Sequence, residues 1–273
     1  MSNADAGASG AVTFTLDVED YTTDGSEPRA LATTRRILAF LAARDIRGTF
    51  FVVGTFADAY CVLMKEIVQG GHELALHGYD HLPLTDTNPD TFRREVGDVR
   101  ARMEDVTGRP VIGFRAPTFS LVAQTQWATD VLVELGFEYS SSVLPARSPL
   151  YGWPGRPRMP HRWPSGLLEL PCPVTDVGPF TNPYLGGIYF RVLPWAAVRY
   201  GLGRAHADEL LWAYCHPYDF DPGEPFQKRP DLGPWKSRLQ WINRRRMFDR
   251  VDRLYATRRA GPPLAERIAT VTA

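Results

Sequence analysis

The sequence predicts an α/β protein built on a parallel sheet, with a barrel preferred to a doubly wound sheet. Three observations lead there. Apolar, β-branched runs alternate with amphipathic segments at least four times before residue 143, the pattern of successive βα units. The run Thr49–Val53 (TFFVV) is apolar throughout, as a strand covered on both faces requires. Polar groups recur just past strand ends, at Asp17–Asp20, His77–His81 and Arg115, where parallel α/β folds assemble their sites.

The elements follow in order. Residues 1–10 are small and polar and are expected to be a flexible N-terminus. Val12–Asp17 reads as a first strand with carboxylates at its end. A helix spans about Arg29 to Arg44, with Leu31, Ile37, Leu38 and Leu41 on one stripe. After the strand Thr49–Val53, a second helix runs from Phe56 to Gln69, and Gly70-Gly71 closes it before the strand at His72. The third helix, Pro89–Thr107, stops at Gly108, and the strand Val111–Phe114 leads into Arg115-Ala116-Pro117. A helix over 122–135 and a strand over Phe137–Val143 complete the regular part.

Pro145–Gly166 breaks the rhythm, because its prolines exclude regular structure. It reads as a proline-stiffened crossover, or as a lid whose Trp153 and Trp163 contact an extended substrate. A strand resumes at Leu167–Pro171. A glycine turn and strand follow at Gly186–Arg191, then a short helix at Pro194–Gly203, and a last buried strand, Leu210–Cys215, delivers His216. One helix is expected over Pro234–Arg259, with Trp241, Phe248, Val251 and Tyr255 on a stripe and arginines around the rest. It reads as a packing helix with a charged surface, or as a basic helix touching anionic lipid.

Bulk properties exclude some roles. The 31 lysines and arginines balance 31 aspartates and glutamates, which argues against a general nucleic-acid binder. Three scattered cysteines give no disulfide framework. The N-terminus lacks a basic start and apolar core, and no apolar run approaches the roughly 20 residues that span a bilayer. A cytoplasmic protein is expected, with no transmembrane segment and at most peripheral membrane contact.

The chemistry centres on His72–His81, HELALHGYDH. His77 and His81 are four residues apart, so on a helical turn both imidazoles reach one ion. An open metal site needs a carboxylate besides, and Asp17, Glu19 and Asp20 are available. A metal with room for water polarises a carbonyl and makes the water acidic. A nearby carboxylate takes the water's proton, an arginine beside it holds it ionised, and a separate histidine protonates the leaving amine. Arg115 after the fourth strand and His216 after the last supply such groups. The set describes hydrolysis of an amide or ester. Singly, each residue also has an ordinary structural role: Asp17 and Asp20 as caps, Arg115 as an ion-pair partner, His216 as a satisfied buried histidine.

Four motifs in order resemble the NodB-homology polysaccharide deacetylases, carbohydrate esterase family 4: TLDVED (15–20), HGYDH (77–81), RAP (115–117) and WAYCHP (212–217). DVEDY, GFRAPTFS, GGIYFR and HPYDFDP resemble an exopolysaccharide-associated branch of that family. The resemblance implies a distorted (β/α) barrel of about seven units over residues 11–230, with a C-terminal helical extension over 231–273. It implies one divalent ion, zinc in most members, held by His77, His81 and either Glu19 or Asp20. It implies Asp17 as general base, Arg115 as its partner and His216 as general acid. Pro117, Tyr189 and Arg191 would border the substrate cleft. The sequence departs from the pattern in its Asp-Val-Glu-Asp spacing, in Gly78 where serine or threonine is usual, and in Cys215 before the late histidine. The implied activity is N-deacetylation of an N-acetylated sugar or polysaccharide intermediate, nucleotide- or lipid-linked if cytoplasmic. The alternatives are a ring-opening amidohydrolase of the same superfamily, or a carbohydrate-binding assembly protein without catalysis.

Overall fold

The computed structural model describes residues 10–20, 29–226 and 233–271. The expected flexible N-terminus, Gly10 excepted, and the expected boundary at 230/231 lie outside the described residues. The strands are β1 (Val12–Val18), β2 (Gly48–Val52), β3 (Glu73–Leu76), β4 (Gly113–Phe114), β5 (Tyr139–Ser140), β6 (His161–Arg162), β7 (Leu168–Glu169), β8 (Val174–Val177), β9 (Phe180–Pro183), β10 (Leu211–Cys215) and β11 (Ala260–Gly261). The helices are α1 (Arg29–Ala42), α2 (Cys61–Gln69), α3 (Pro89–Thr107), α4 (Ala128–Glu134), α5 (Gly187–Val192), α6 (Trp195–Arg204), α7 (Gly233–Leu239), α8 (Met247–Thr257) and α9 (Leu264–Ile268).

In the order β10-β1-β2-β3-β4-β5-β7, seven strands pair in parallel, and β6 adds antiparallel at the β7 edge. The path does not close, so the sheet is a half-barrel of βα units, in agreement with the expected incomplete barrel. Alternation along the strands makes two cores, since successive side chains point to opposite faces. Val12, Phe14, Leu16, Val18, Phe50, Val52, Leu74 and Leu76 pack outward against helix residues such as Ile37, Leu41, Leu63 and Ile67. Phe51, Ala75, Tyr139, Trp212 and Tyr214 fill the concave inner face.

Helix α3 matches its sequence signals. Asn88 accepts the Thr91 N–H, Pro89 begins the helix, and Gly108 ends it at φ 64°, the left-handed stop that glycine adopts without strain. Other segments differ from expectation. Gly186–Arg191 is not a strand: Gly187–Val192 forms α5. A β-carbon on Gly186 would lie 2.1 Å from the Tyr214 ring and 2.4 Å from its carbonyl oxygen, so the glycine pair seats α5 against β10. The single helix expected over Pro234–Arg259 is broken into α7 and α8, with Asn243 at φ 61° between them. The β8–β9 hairpin was not foreseen.

The last described residues were not foreseen either. Strand β11 pairs in parallel with Val12 and Thr13 of β1. Arg267 Nη1 donates to the carbonyls of Ala11 and Leu211 and to Thr13 Oγ1, and Ala265 N–H donates to Glu73 Oε2. The N-terminal end of the sheet is therefore covered by β11 and α9. Among the described residues no helix is long and apolar enough to cross a membrane.

Buried His72 generates a pH prediction. Its Nδ1 accepts the Gly48 N–H at 3.1 Å, and burial depresses its pKa to about 4. The unfolded chain takes up that proton near its ordinary pKa of about 6.5. The stabilising contribution is therefore complete above pH 6.5 and is lost as pH falls toward 4, at up to about 1.4 kcal/mol per unit. His72→Asn, whose amide oxygen can accept the same N–H, should lose less stability than the wild type between pH 6.5 and 4.5. Urea denaturation of both proteins across that range reads the difference, and parallel curves would refute it.

Candidate active site

The functional side chains come together because each continues the inner-face register of its strand past the C-terminal end. Thr13, Thr15 and Asp17 alternate along β1, and Glu19 follows. Ala75 of β3 leads to His77, Gly113 of β4 to Arg115, and Trp212 and Tyr214 of β10 to His216. Period two thus brings five polar residues from distant sequence positions to one end of the half-barrel.

Glu19, His77 and His81 offer three ligand atoms within 4.8 Å of one another. His81 Nε2 lies 2.5 Å from Glu19 Oε2. His77 Nδ1 donates to the Arg115 carbonyl at 3.0 Å, which fixes the tautomer and leaves Nε2 available to ligate. Burial lowers the His77 pKa to about 4, against the pull of Asp17, so the ring is neutral at pH 7. Burial would raise the Glu19 pKa, but His81 and His216 outweigh it and hold the carboxyl ionised. Burial lowers and Glu19 raises the His81 pKa, with a net rise. Two imidazoles and one ionised carboxylate suit a zinc-type ion with an open position. The HGYDH turn needs its glycine. Gly78 has φ 69°, and a β-carbon there would lie 2.9 Å from Pro117 Cγ. His81 itself has φ 65°, as do Thr118 and Phe119 near 57° in the loop after Arg115. Such non-glycine strain concentrates at functional sites.

Asp17 and Arg115 form a buried ion pair, Oδ1 to Nη1 at 2.5 Å. The guanidinium lies between the rings of Phe51 and Trp212, 3.9 and 4.2 Å from their centroids, and also donates to Thr15 and Ser141. Asp17 Oδ2 stands 4.0 Å from both His77 Nε2 and His216 Nε2.

His216 is the third arm. Its Nδ1–H donates to Asp219 Oδ2 at 3.0 Å, and its ring stacks on Tyr218 at 4.6 Å and 8°. Nε2 lies 3.2 Å from Glu19 Oε1. Burial alone would lower its pKa; Glu19 first, and Asp219 next, outweigh burial and raise it to about 9. The ring therefore carries a proton at neutral pH.

Two sequence expectations meet a different placement. Asp20 is not in the donor group: its Oδ2 accepts the Ala30 N–H in the first turn of α1. Arg191 does not border a cleft, since its side chain is 1% exposed and ion-paired with Asp219. Tyr189 is half-buried, and burial with nearby Cys172 raises its hydroxyl pKa. Pro117 is buried against Gly78, beside the metal-ligand turn. Asp219 was missed. Its signal is the spacing in His216-Pro-Tyr-Asp219, where the carboxylate also accepts the His216 N–H, as in a helix-start box.

Residues 9–140 match the family described as "Polysaccharide deacetylase", and residues 141–260 match a "Domain of unknown function (DUF3473)". A peptidoglycan-N-acetylglucosamine deacetylase from Bacillus cereus is 28% identical over 98 residues, 36% of this chain and 36% of that protein. A chitooligosaccharide deacetylase from Rhizobium leguminosarum bv. phaseoli is 36% identical over 74 residues, 27% of this chain and 31% of that protein. The chain spans about a third of the length of the curated relatives it matches. Among solved structures, a candidate polysaccharide deacetylase from Mycobacterium smegmatis aligns with a TM-score of 0.57 at 23% identity, covering 93% of each chain. A CE4 family pseudoenzyme from Bacillus anthracis aligns at 0.53 and 14% identity, over 94% of this chain and 65% of that one. These likenesses show a shared fold.

The geometry separates Glu19 from Asp20 experimentally. Loss of even an outer partner of a metal ligand costs about 10- to 100-fold in affinity, so Glu19→Gln should weaken zinc binding by at least roughly 100-fold. Asp20→Asn should leave zinc binding nearly unchanged. Calorimetric zinc titration of the two variants checks this, and the reverse order would transfer the ligand role to Asp20.

Proposed function

We propose, for a chain whose residues 9–140 match the polysaccharide deacetylase family, that it is a metal-dependent hydrolase removing an N-acetyl group from an N-acetylated sugar or polysaccharide intermediate. The supporting observation is the position of Asp17 Oδ2, equidistant at 4.0 Å from a metal-ligand nitrogen and from the nitrogen of a protonated histidine. N-acetylglucosamine polymers are the first substrates to test, because the Bacillus cereus relative is named for that sugar. The motifs DVEDY, GGIYFR and HPYDFDP support placement in the exopolysaccharide-associated branch. Residues 11–230 form the hydrolase domain in this reading, with 231–273 as its extension, bound into the sheet through β11.

Glu19, His77 and His81 would hold a divalent ion, zinc by their donor set, which would supply a Lewis acid and lower the pKa of a water toward neutral. Asp17 accepts that water's proton on Oδ2 while Arg115 engages Oδ1, so the base has one free oxygen and a fixed direction. The water oxygen bonds to the acetyl carbon. His216 then gives its Nε2 proton to the amide nitrogen, the C–N bond breaks, and acetate and a free amine result. When the charge of Glu19 is spent on a cation, Asp219 remains to hold the Nδ1 proton of His216. A silent carbohydrate-binding role is disfavoured, since Asp17, Glu19, His77, His81, Arg115 and His216 are all retained.

Two variants test the roles. Asp17→Asn should keep zinc and lose about 100- to 10,000-fold in kcat, the range of a missing general base. His216→Ala should keep zinc and fail most on N-acetyl sugars, whose leaving amine needs a proton, while an activated aryl acetate suffers less. Acetate release from both substrates measures this; equal losses on the two, or loss of zinc, would remove His216 from the acid role.

A further inference from the structure

We propose that Arg191 is a positioning residue for His216, and that the chain break at 240–243 exists to hold Arg191. The inference rests on the reading of His216 as general acid. Arg191 sits on α5, its side chain 1% exposed. Its Nε lies 2.6 Å from Asp219 Oδ1, and Asp219 is itself fully buried. Its Nη1 donates to the carbonyls of Gln240 and Ile242, each at 2.8 Å. Asn243 Nδ2 returns a hydrogen bond to the Arg191 carbonyl at 3.0 Å.

The two oxygens of Asp219 thus have separate tasks. Oδ1 faces Arg191, while Oδ2 takes both the backbone N–H and the Nδ1–H of His216, at 2.8 and 3.0 Å. A planar guanidinium can meet a carboxylate and two carbonyls at once; a lysine ammonium at the end of a flexible stem lacks that fork. A buried carboxylate without its cation is costly to keep charged. It would take up a proton or turn toward another donor, and in either case the imidazole loses its fixed tautomer and aim.

The break in the C-terminal helix now has a role. In a continuous α-helix the carbonyls of 240 and 242 would face the N–H groups four residues on. The turn at Asn243, φ 61°, redirects the chain, and Arg246 N–H bonds to Asn243 instead. The 141–260 segment, matched only to a domain of unknown function, would then contribute the entire acid arm: His216, Asp219, Arg191 and the carbonyls that clamp it.

The test uses the zinc-loaded full chain and Arg191→Lys, which keeps the charge and loses the fork. Nitrogen-15 NMR of the His216 ring, recorded at a pH above its titration where the imidazole is neutral, reads its tautomer without reference to activity, and kinetics compare an N-acetyl chitooligosaccharide with an aryl acetate. Expected are unchanged zinc content, KM within about twofold, kcat on the amide lower by about 10- to 100-fold, and a much smaller loss on the ester. The Nδ1–H tautomer of His216 should lose its dominance. An unchanged tautomer, or amide and ester falling together, overturns the proposal. Should Arg191→Lys fail to fold, Asn243→Gly keeps the left-handed turn, removes the Nδ2 donor and should show the same substrate pattern more weakly; equal losses there also overturn it. A wild-type protein inactive on every acetylated substrate defeats the functional reading instead, while the tautomer comparison still decides the role of Arg191.

Discussion

The buried Arg115–Asp17 pair is the constraint around which the inner face is organised. A guanidinium without solvent is tolerated only when paired and hydrogen-bonded. Here Asp17 and Thr15 come from β1, Ser141 from the segment after β5, and the two flanking rings from β2 and β10. One cation therefore ties together strands whose sequence positions span some two hundred residues. Because it fills the layer beneath the strand ends, it also sets the floor of the site. Its backbone carbonyl holds the Nδ1 proton of His77, so a single residue orients both Asp17 and His77.

The two matched segments divide the site residues. His77, His81, Glu19, Asp17 and Arg115 lie within residues 9–140, which match the polysaccharide deacetylase family, while His216, Asp219 and Arg191 lie within residues 141–260. The halves meet at the edge where β10 pairs with β1 along five residues, Val12 with Leu211 through Leu16 with Cys215. That register fixes where Glu19 and His216 emerge, and it explains the 3.2 Å approach of their side chains. Cys215, noted above as a departure from the family pattern, is buried in the outer core.

Much of this was legible in the sequence where local signals decide. The strand at Val12–Asp17, helix α3 from Pro89 to its Gly108 end, and the order of the four motifs all survive into the fold. The choice between Glu19 and Asp20 was also within reach. Extending the period of β1 two residues past Asp17 selects Glu19 and turns Asp20 to the other side. What was not legible depends on long-range contacts. Gly-Ile-Tyr-Phe-Arg-Val has the β-branched and aromatic composition of a strand, but the glycines fold over Tyr214 and a helix results. An arginine at 191 gives no local sign that two carbonyls fifty residues away will bury it. The stripe from Trp241 to Tyr255 continues a helical period through Asn243, where the backbone does not. Strand β11 is only Ala260-Gly261, too short for any pattern to mark.

Strand β1 lies beside the edge strand β10, and it gains its neighbours from widely separated parts of the chain. Its partner β2 follows closely in sequence, whereas β10 and β11 lie about 200 and 250 positions later. Thr13 Oγ1 donates to the Pro262 carbonyl across 249 positions. During synthesis one flank of this strand stays unpaired until about two hundred further residues have left the ribosome, and such distant pairing closes slowly. An unpaired apolar strand edge is the form most exposed to aggregation. Assembly of this fold from the nascent chain therefore depends on holding β1 soluble until its latest partners arrive.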